Sequence, residues 1–216
     1  FSDYNKLSNI NISGIHFHIG SQILNLSPFK KLCKIINETI SYLEENGVKI
    51  KKINVGGGLG IDYLDPQNNL GSNFKDFIHL FNSKVKLKNN QSIHFELGRS
   101  IVGQCGFLIS KILYTKKSYN KNFIVLDSGM NNLIRPALYN SKHKISNISS
   151  SGNKIETYDI VGPICESTDT FARDYEMVES KRGDLVVIYS CGAYAESMSS
   201  NYNLRDNIKS YYSDTI

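Results

Sequence analysis

The sequence predicts two architectures in one chain: an α/β segment with parallel strands over residues 1–102, then a β-rich segment over residues 103–216. Three observations carry that reading. Short apolar strands ending in glycine alternate with helical stripes as far as Gly98. Alternation of this kind implies a parallel sheet, with the informative residues at the carboxyl edge where such folds bind ligands. From Gly106 onward the apolar runs shorten to strand length between turn residues.

In order, residues 13–20 form a first strand, Gly14-Ile15-His16-Phe17-His18-Ile19-Gly20, with His16 and His18 on one face and Ile15, Phe17 and Ile19 on the other. A helix follows, with Ser27 as N-cap and Pro28 as its first residue. Phe29, Leu32, Cys33, Ile36, Ile40 and Leu43 then recur at helical spacing until Gly47. Residues 52–55 make a second strand ending in Gly56-Gly57-Gly58-Leu59-Gly60. Past an irregular stretch containing Pro66, a second helical stripe runs through Phe74, Phe77, Ile78, Phe81 and Val85, and residues 92–97 make a third strand ending at Gly98. In the second segment, residues 107–114, 123–126, 154–161 and 185–189 read as strands, and the serine-rich stretch 146–153 reads as a hairpin loop. The boundary falls near Gly103, and no internal repeat is present.

Three parallel strands with open edges do not close a domain. A (β/α)8 barrel takes about 250 residues, roughly 30 per unit, so the first segment reads as the C-terminal part of a TIM barrel with about five units missing. The second reads as a sandwich- or barrel-like β domain, truncated at its end. Of the 216 residues 40% are hydrophobic, enough for a sizeable core and too many for a disordered or fibrous chain. No apolar run approaches the roughly 20 residues of a bilayer span. Phe1-Ser2-Asp3-Tyr4-Asn5-Lys6 lacks the layout of a secretory signal, and the chain reads as cytoplasmic.

Charge excludes little: 25 basic against 20 acidic residues give +5, spread as doublets such as Lys51-Lys52 and Lys116-Lys117 with acids between. That is a solvated surface, with no call for nucleic acid. Cys33, Cys105, Cys165 and Cys191 lie far apart and form no C-x-x-C pair, so neither a zinc site nor a disulfide framework is indicated. Three of them fit apolar or strand-like surroundings as core residues; Cys165, in the turn Gly162-Pro163-Ile164-Cys165-Glu166-Ser167, is either a small buried residue or a chemical one.

Four further features bear on chemistry. The glycine run at 56–60 can offer backbone N–H groups to a phosphate or serve as a structural turn; no Gly-Lys-Ser/Thr follows, and no helix opens directly after it. His16-x-His18 is a metal dyad or a pair lining the barrel interior. Glu96 and Arg99 form a structural ion pair or hold a cofactor ring nitrogen and an anion. Arg135, beside Tyr139 in Arg135-Pro136-Ala137-Leu138-Tyr139, suits a carboxylate, with a surface arginine as the alternative.

Taken together these segments resemble one family. Gly14-Ile15-His16-Phe17-His18-Ile19-Gly20-Ser21-Gln22, Asn54-Val55-Gly56-Gly57-Gly58-Leu59-Gly60, Glu96-Leu97-Gly98-Arg99-Ser100, Asp127-Ser128-Gly129-Met130, Arg135-Pro136-Ala137-Leu138-Tyr139, Gly162-Pro163-Ile164-Cys165-Glu166-Ser167 and Gly192-Ala193-Tyr194 stand in the order and spacing of the diaminopimelate decarboxylases. The resemblance runs from about residue 12 to residue 206 and implies an alanine-racemase-like pyridoxal-phosphate enzyme that pairs a barrel with a β domain. It implies that His18 stacks on the pyridoxal ring, that Ser21, Gly57, Gly58, Gly60 and Tyr194 hold the phosphate, and that Glu96 pairs with the pyridinium nitrogen, which the ring needs to accept electrons. Gly98 and Arg99 would lie near phosphate or substrate, Arg135 and Tyr139 at the distal carboxylate, and Glu166 at the distal amino group. Cys165 would return the proton, reaching the site with Glu166 from the partner subunit of a homodimer.

The reaction implied is loss of carbon dioxide from meso-2,6-diaminopimelate to give L-lysine. Leu97 replaces the proline usual in the Glu-Pro-Gly-Arg motif and leaves Glu96 and Arg99 in register. The family's Schiff-base lysine stands upstream of the His-x-His segment, and no lysine here matches it. Covalent attachment needs that amine, so this chain by itself is expected to be inactive. Decarboxylases of ornithine, arginine or carboxynorspermidine are the nearest alternatives, but a simple diamine precursor would leave Arg135 unpaired. A non-catalytic binding relative and a metal-dependent barrel hydrolase complete the alternatives.

Overall fold

The computed structural model describes residues 6, 8–69 and 72–213; residues 1–5 of the N-terminal segment considered above lie outside the described residues. Contacts divide the chain into two compact units, residues 1–60 with 72–100 and residues 61–71 with 101–216.

The first unit contains β1 (Gly14–His16), α1 (Ser27–Glu45), β2 (Lys52–Asn54), α2 (Phe74–Lys84) and β3 (Ser92–His94). Its sheet is parallel in the order β1-β2-β3, with His16 level with Asn54 and Asn54 level with His94. Each strand is shorter than its apolar run, because the loops at the carboxyl edge splay while a few bonds persist. Phe17 N–H donates to the Asn54 carbonyl at 2.8 Å, Val55 N–H to that of His94 at 2.9 Å and Glu96 N–H to that of Gly56 at 2.8 Å.

α1 buries the predicted stripe of Phe29, Leu32, Cys33, Ile36, Ile40 and Leu43. Its end follows from Gly47, whose φ of +76° suits a residue without Cβ. Gly47 N–H reaches the Glu44 carbonyl and Val48 N–H the Leu43 carbonyl, both at 2.9 Å, which closes the last turn. Its start differs from expectation. Ser27 already lies inside the helix, its N–H donating to Asn25 Oδ1 at 2.8 Å, and the flanking Leu26 provides no side-chain cap. α2 is capped by Asn73, whose Oδ1 accepts the Asp76 N–H at 3.0 Å. Both helices meet the sheet through an aromatic cluster: Phe77 lies edge-on to Phe29 at 4.9 Å, and Phe95 packs 5.6 Å from Phe77 and 5.4 Å from Phe81. Such rings fix the layer spacing, and truncating one to alanine costs about 3–5 kcal/mol.

In the second unit a mixed six-stranded sheet runs β6-β9-β4-β5-β7-β8, built from β4 (Leu108–Lys117), β5 (Asn122–Leu126), β6 (Ile145–Asn147), β7 (Ile155–Val161), β8 (Thr170–Val178) and β9 (Leu185–Ile188). Only β5 and β7 pair in parallel. The two edges meet: the Tyr175 hydroxyl on β8 accepts the Ile145 N–H at 2.8 Å and donates to the Ile145 carbonyl at 3.0 Å. One side chain thus covers strand edges that would otherwise stay open. Inside are Leu108, Ile112, Ile124, Leu126, Ile160, Val186 and Ile188.

Three expectations need correction here. Residues 146–153 are not a hairpin loop, because Ile145–Asn147 form β6 paired with β9, whereas β7 pairs with β5 and β8. The turn after β6 is organised by Asn147 Oδ1, which accepts the N–H groups of Ser149 and Ser150. β8 was absent from the sequence reading: it is an edge strand interrupted by Arg173-Asp174, where Asp174 takes a φ of +47°. Cys105, expected in the core, is exposed, at the end of a short 3₁₀ turn (Gly103–Cys105). Cys33 and Cys191 are buried as expected, and burial pushes the Cys191 thiol up to about 12.

Candidate active site

In the first unit the predicted residues cluster on the loops that leave the carboxyl ends of β1, β2 and β3. Gly56, with a φ of +70°, is pressed against the Phe17 carbonyl, and an added Cβ would also come within 3.0 Å of His18 Nδ1. Gly57 is pressed against the Glu96 carbonyl and Gly58 against that of Gly20. The glycine run therefore packs three loops together before it does anything else. Gly60 N–H donates to the Ile23 carbonyl at 3.0 Å, whereas the N–H groups of Gly57 and Gly58 have no partner among the described residues. Those two are the donors open to an anion. His18, Ser21 and Gly98 are exposed on the neighbouring loops; Arg99, opening the four-residue α3 (Arg99–Val102), is buried.

Glu96 is exposed, yet both its carboxylate oxygens are engaged. Asn54 Nδ2 donates to Oε1 at 2.8 Å and His16 Nε2 to Oε2 at 3.2 Å. The Asn54 bond first, and then that from His16, hold the Glu96 carboxyl below the ordinary glutamate range. No three His, Cys, Asp or Glu side chains converge as a metal site among the described residues.

In the second unit Arg135 opens α4 (Arg135–Tyr139). It is buried and lies 5.4 Å from the Tyr139 ring centroid and 5.2 Å from that of Tyr194. Its Nε has no hydrogen-bond partner, and among the described residues no carboxylate pairs with it. Tyr194 takes a φ of +71°, a left-handed backbone that a tyrosine adopts only when its surroundings impose it.

Cys165 and Glu166 sit exposed on the turn after β7. A residue the sequence reading missed holds that turn: buried Asp169 accepts the Ile164 N–H at 2.7 Å and the Met130 N–H at 2.6 Å. It thereby joins the cysteine turn to the turn that leads into α4. Gly129 and Gly162 leave room for it, since a Cβ on either would meet its carboxylate. Burial raises the Asp169 carboxyl despite these two N–H groups. His16 and Asn54 stand inside motifs and Asp169 just past one; only strand register and loop closure show what they hold. A cavity of about 540 Å³ in this unit, lined by Pro136, Asn140, His143, Phe171, Arg173 and Tyr175, includes none of the predicted site residues.

No helix among the described residues is long and apolar enough to cross a membrane. Residues 10–192 match the family described as pyridoxal-dependent decarboxylase, C-terminal sheet domain. The diaminopimelate decarboxylase of Bacteroides thetaiotaomicron is 48% identical over 211 residues, covering 98% of this chain and 54% of that protein. That of Aquifex aeolicus is 41% identical over 206 residues, covering 93% and 47% respectively. Among solved structures, Helicobacter pylori diaminopimelate decarboxylase complexed with L-lysine superposes with a TM-score of 0.83 at 37% identity, covering 94% of this chain and 50% of that one. The chain spans about half the length of the relatives it matches. The expected fold, a (β/α) barrel segment followed by a β-rich domain, is theirs, and the chain belongs to the pyridoxal-dependent decarboxylases.

Proposed function

We propose that the protein releases carbon dioxide from meso-2,6-diaminopimelate to give L-lysine, with pyridoxal 5'-phosphate as cofactor, as a cytoplasmic homodimer. The observation that carries the substrate is Arg135, a buried guanidinium without a carboxylate partner between two tyrosine rings. A buried cation of this kind gains from an anion that completes it, and a second carboxylate distinguishes diaminopimelate from ornithine. The curated relatives carry the same activity in their names.

The residues present fit the cofactor. Gly57 and Gly58 offer two N–H groups and Ser21 an exposed hydroxyl to a phosphate, with Gly60 completing the turn; Tyr194 is proposed as a further phosphate ligand. His18 presents an exposed ring for stacking, and Glu96 an ionised carboxylate for a protonated ring nitrogen. When bound, pyridoxal phosphate supplies the electron sink for the charge left as carbon dioxide departs. Arg135 and Tyr139 would orient the distal carboxylate, Glu166 would accept hydrogen bonds from the distal amino group, and Gly98 and Arg99 would border phosphate or substrate. Cys165, an exposed thiol on a turn fixed by Asp169, would deliver the proton that completes lysine, with Glu166 beside it from the partner subunit. The barrel segment is proposed to end near residue 102 and the β domain to follow from 103.

The test is to read the frame upstream of Phe1, express its complete product, and measure carbon dioxide release from meso-diaminopimelate with added pyridoxal phosphate, with ornithine and arginine as controls. Release from diaminopimelate alone, together with an upstream lysine on a barrel strand, is the expected result. A product inert towards all three overturns the enzyme reading, and release from ornithine alone overturns the substrate.

A further inference from the structure

We propose that Asn54 and His16 are positioning residues, a two-donor clamp that fixes the plane of the Glu96 carboxylate and locks it to the glycine loop. The inference rests on the reading of Glu96 as the ring-nitrogen partner and says what makes it fit for that role.

The clamp is written into the register of the sheet. His16 and Asn54 are direct partners on β1 and β2, and Asn54 is level with His94, two residues before Glu96. Glu96, two residues past that row, therefore meets side chains carried by the other two strands of the sheet. Asn54 can be oriented only one way. Its Oδ1 accepts the Gly56 N–H at 2.8 Å, so its Nδ2 must face outward, where it meets Glu96 Oε1 at 2.8 Å. One amide thus ties the start of the glycine loop to the carboxylate. A carboxylate only accepts, so the His16 nitrogen 3.2 Å from Oε2 carries a proton.

The terminal torsion of a glutamate is ordinarily broad. With a donor on each oxygen from a different strand, it is fixed here. Two of about four lone-pair positions are used, which leaves the carboxylate able to accept a further N–H from a ligand. An exposed pair contributes little to stability, so the arrangement is better explained by what it positions. His18 is the other titratable group that acts on Glu96, through its charge alone.

The test uses the complete product of the reading frame, with Asn54→Ala, His16→Ala, His16→Gln and, as a control on the parent reading, Glu96→Gln. In the cofactor-free protein, carbon-13 NMR of the Glu96 carboxyl follows its titration. The expected result is an upward move of the midpoint in Asn54→Ala and a smaller one in His16→Ala. His16→Gln should restore the midpoint, because its amide offers a donor in place of Nε2. In the loaded enzyme the same order should appear as a fall in kcat of about tenfold with KM nearly unchanged, the pattern of an interaction that matters in the reaction more than in binding. Unmoved midpoints in both alanine variants would overturn the clamp whatever Glu96→Gln does. Moved midpoints with a neutral Glu96→Gln would overturn the ring-nitrogen reading, and the positioning role with it.

Discussion

The two units handle charge in opposite ways. In the first, Glu96 is exposed but both its oxygens are engaged, each held by a donor from a different strand. In the second, Arg135 is buried but lacks a carboxylate, with two aromatic rings for company. The first unit is arranged in advance and asks a ligand only for a donor; the second carries an unfavourable charge that a ligand's anion would complete. The difference separates residues whose loss should reach folding from residues whose loss should reach binding alone.

The largest effect is expected where the first unit is most crowded. Gly56→Ala would place a methyl group against the Phe17 carbonyl and near His18 Nδ1, at a φ of +70°. Left-handed strain of about 1–2 kcal/mol and overpacking of about 1–3 kcal/mol add to about 2–5 kcal/mol. Urea unfolding should show a matching fall in midpoint. A midpoint unchanged from the parent would mean that the glycine run is not a packing device and that its use is phosphate binding alone.

Arg135→Met should do the reverse. Removing an unpaired buried cation relieves its desolvation, so stability without ligand should be unchanged or higher by about 1–2 kcal/mol. Removing its charged hydrogen bonds to a distal carboxylate should raise KM for diaminopimelate roughly 30- to 100-fold, the equivalent of 2–3 kcal/mol. Calorimetry together with steady-state kinetics reads both. A variant that loses stability and keeps KM would make Arg135 a structural residue.

A third comparison lies within the second unit, between two buried aspartates with opposite shifts. Burial alone would raise the Asp159 carboxyl, but the Asp174 N–H at 2.8 Å and the Lys121 ammonium at 2.9 Å outweigh it and hold the group below the ordinary range. Its contribution is therefore present above the ordinary aspartate pKa of about 3.9 and is lost as pH falls through the lowered value. Asp169 is raised, so stability should fall as pH climbs from about 3.9 through its raised value. Measured against pH, Asp159→Asn should lose part of the acid limb and Asp169→Asn part of the opposing slope. Curves parallel to the parent would show that neither shift exists.

Sequence periodicity was enough wherever burial has one regular face. The α1 stripe is buried residue for residue, and the β1, β2 and β3 segments were placed to within a few residues. It failed where the partner, not the residue, decides. β8 is an edge strand whose polar Arg173-Asp174 step hides its alternation, and β6 is three residues recruited by β9. The same holds in the site. His18, Glu96 and Arg135 carry their chemistry in the sequence, but the partners of Glu96 come from strand register, and the hold of Asp169 on the cysteine turn comes from a loop closure between residues 130, 164 and 169.

The smallest effect separates the sequence rule from the geometry at the start of α1. Ser-Pro before an apolar stripe reads as an N-cap followed by the first helical residue, and on that reading Ser27→Ala should cost about 1 kcal/mol. In the structure Ser27 is already helical, its hydroxyl caps nothing, and the N–H it would have left exposed is taken by Asn25. Ser27→Ala should therefore fall within about 0.5 kcal/mol of the parent, as exposed substitutions away from special contacts do. Asn25→Ala should carry the loss, about 0.5–1 kcal/mol, because it removes the acceptor for that N–H. The pair is best measured as a difference in urea midpoint between the two variants, which cancels changes common to both. If Ser27→Ala proved the costlier, the cap would lie where the dipeptide suggests, and the chain would enter α1 one residue later than Ser27.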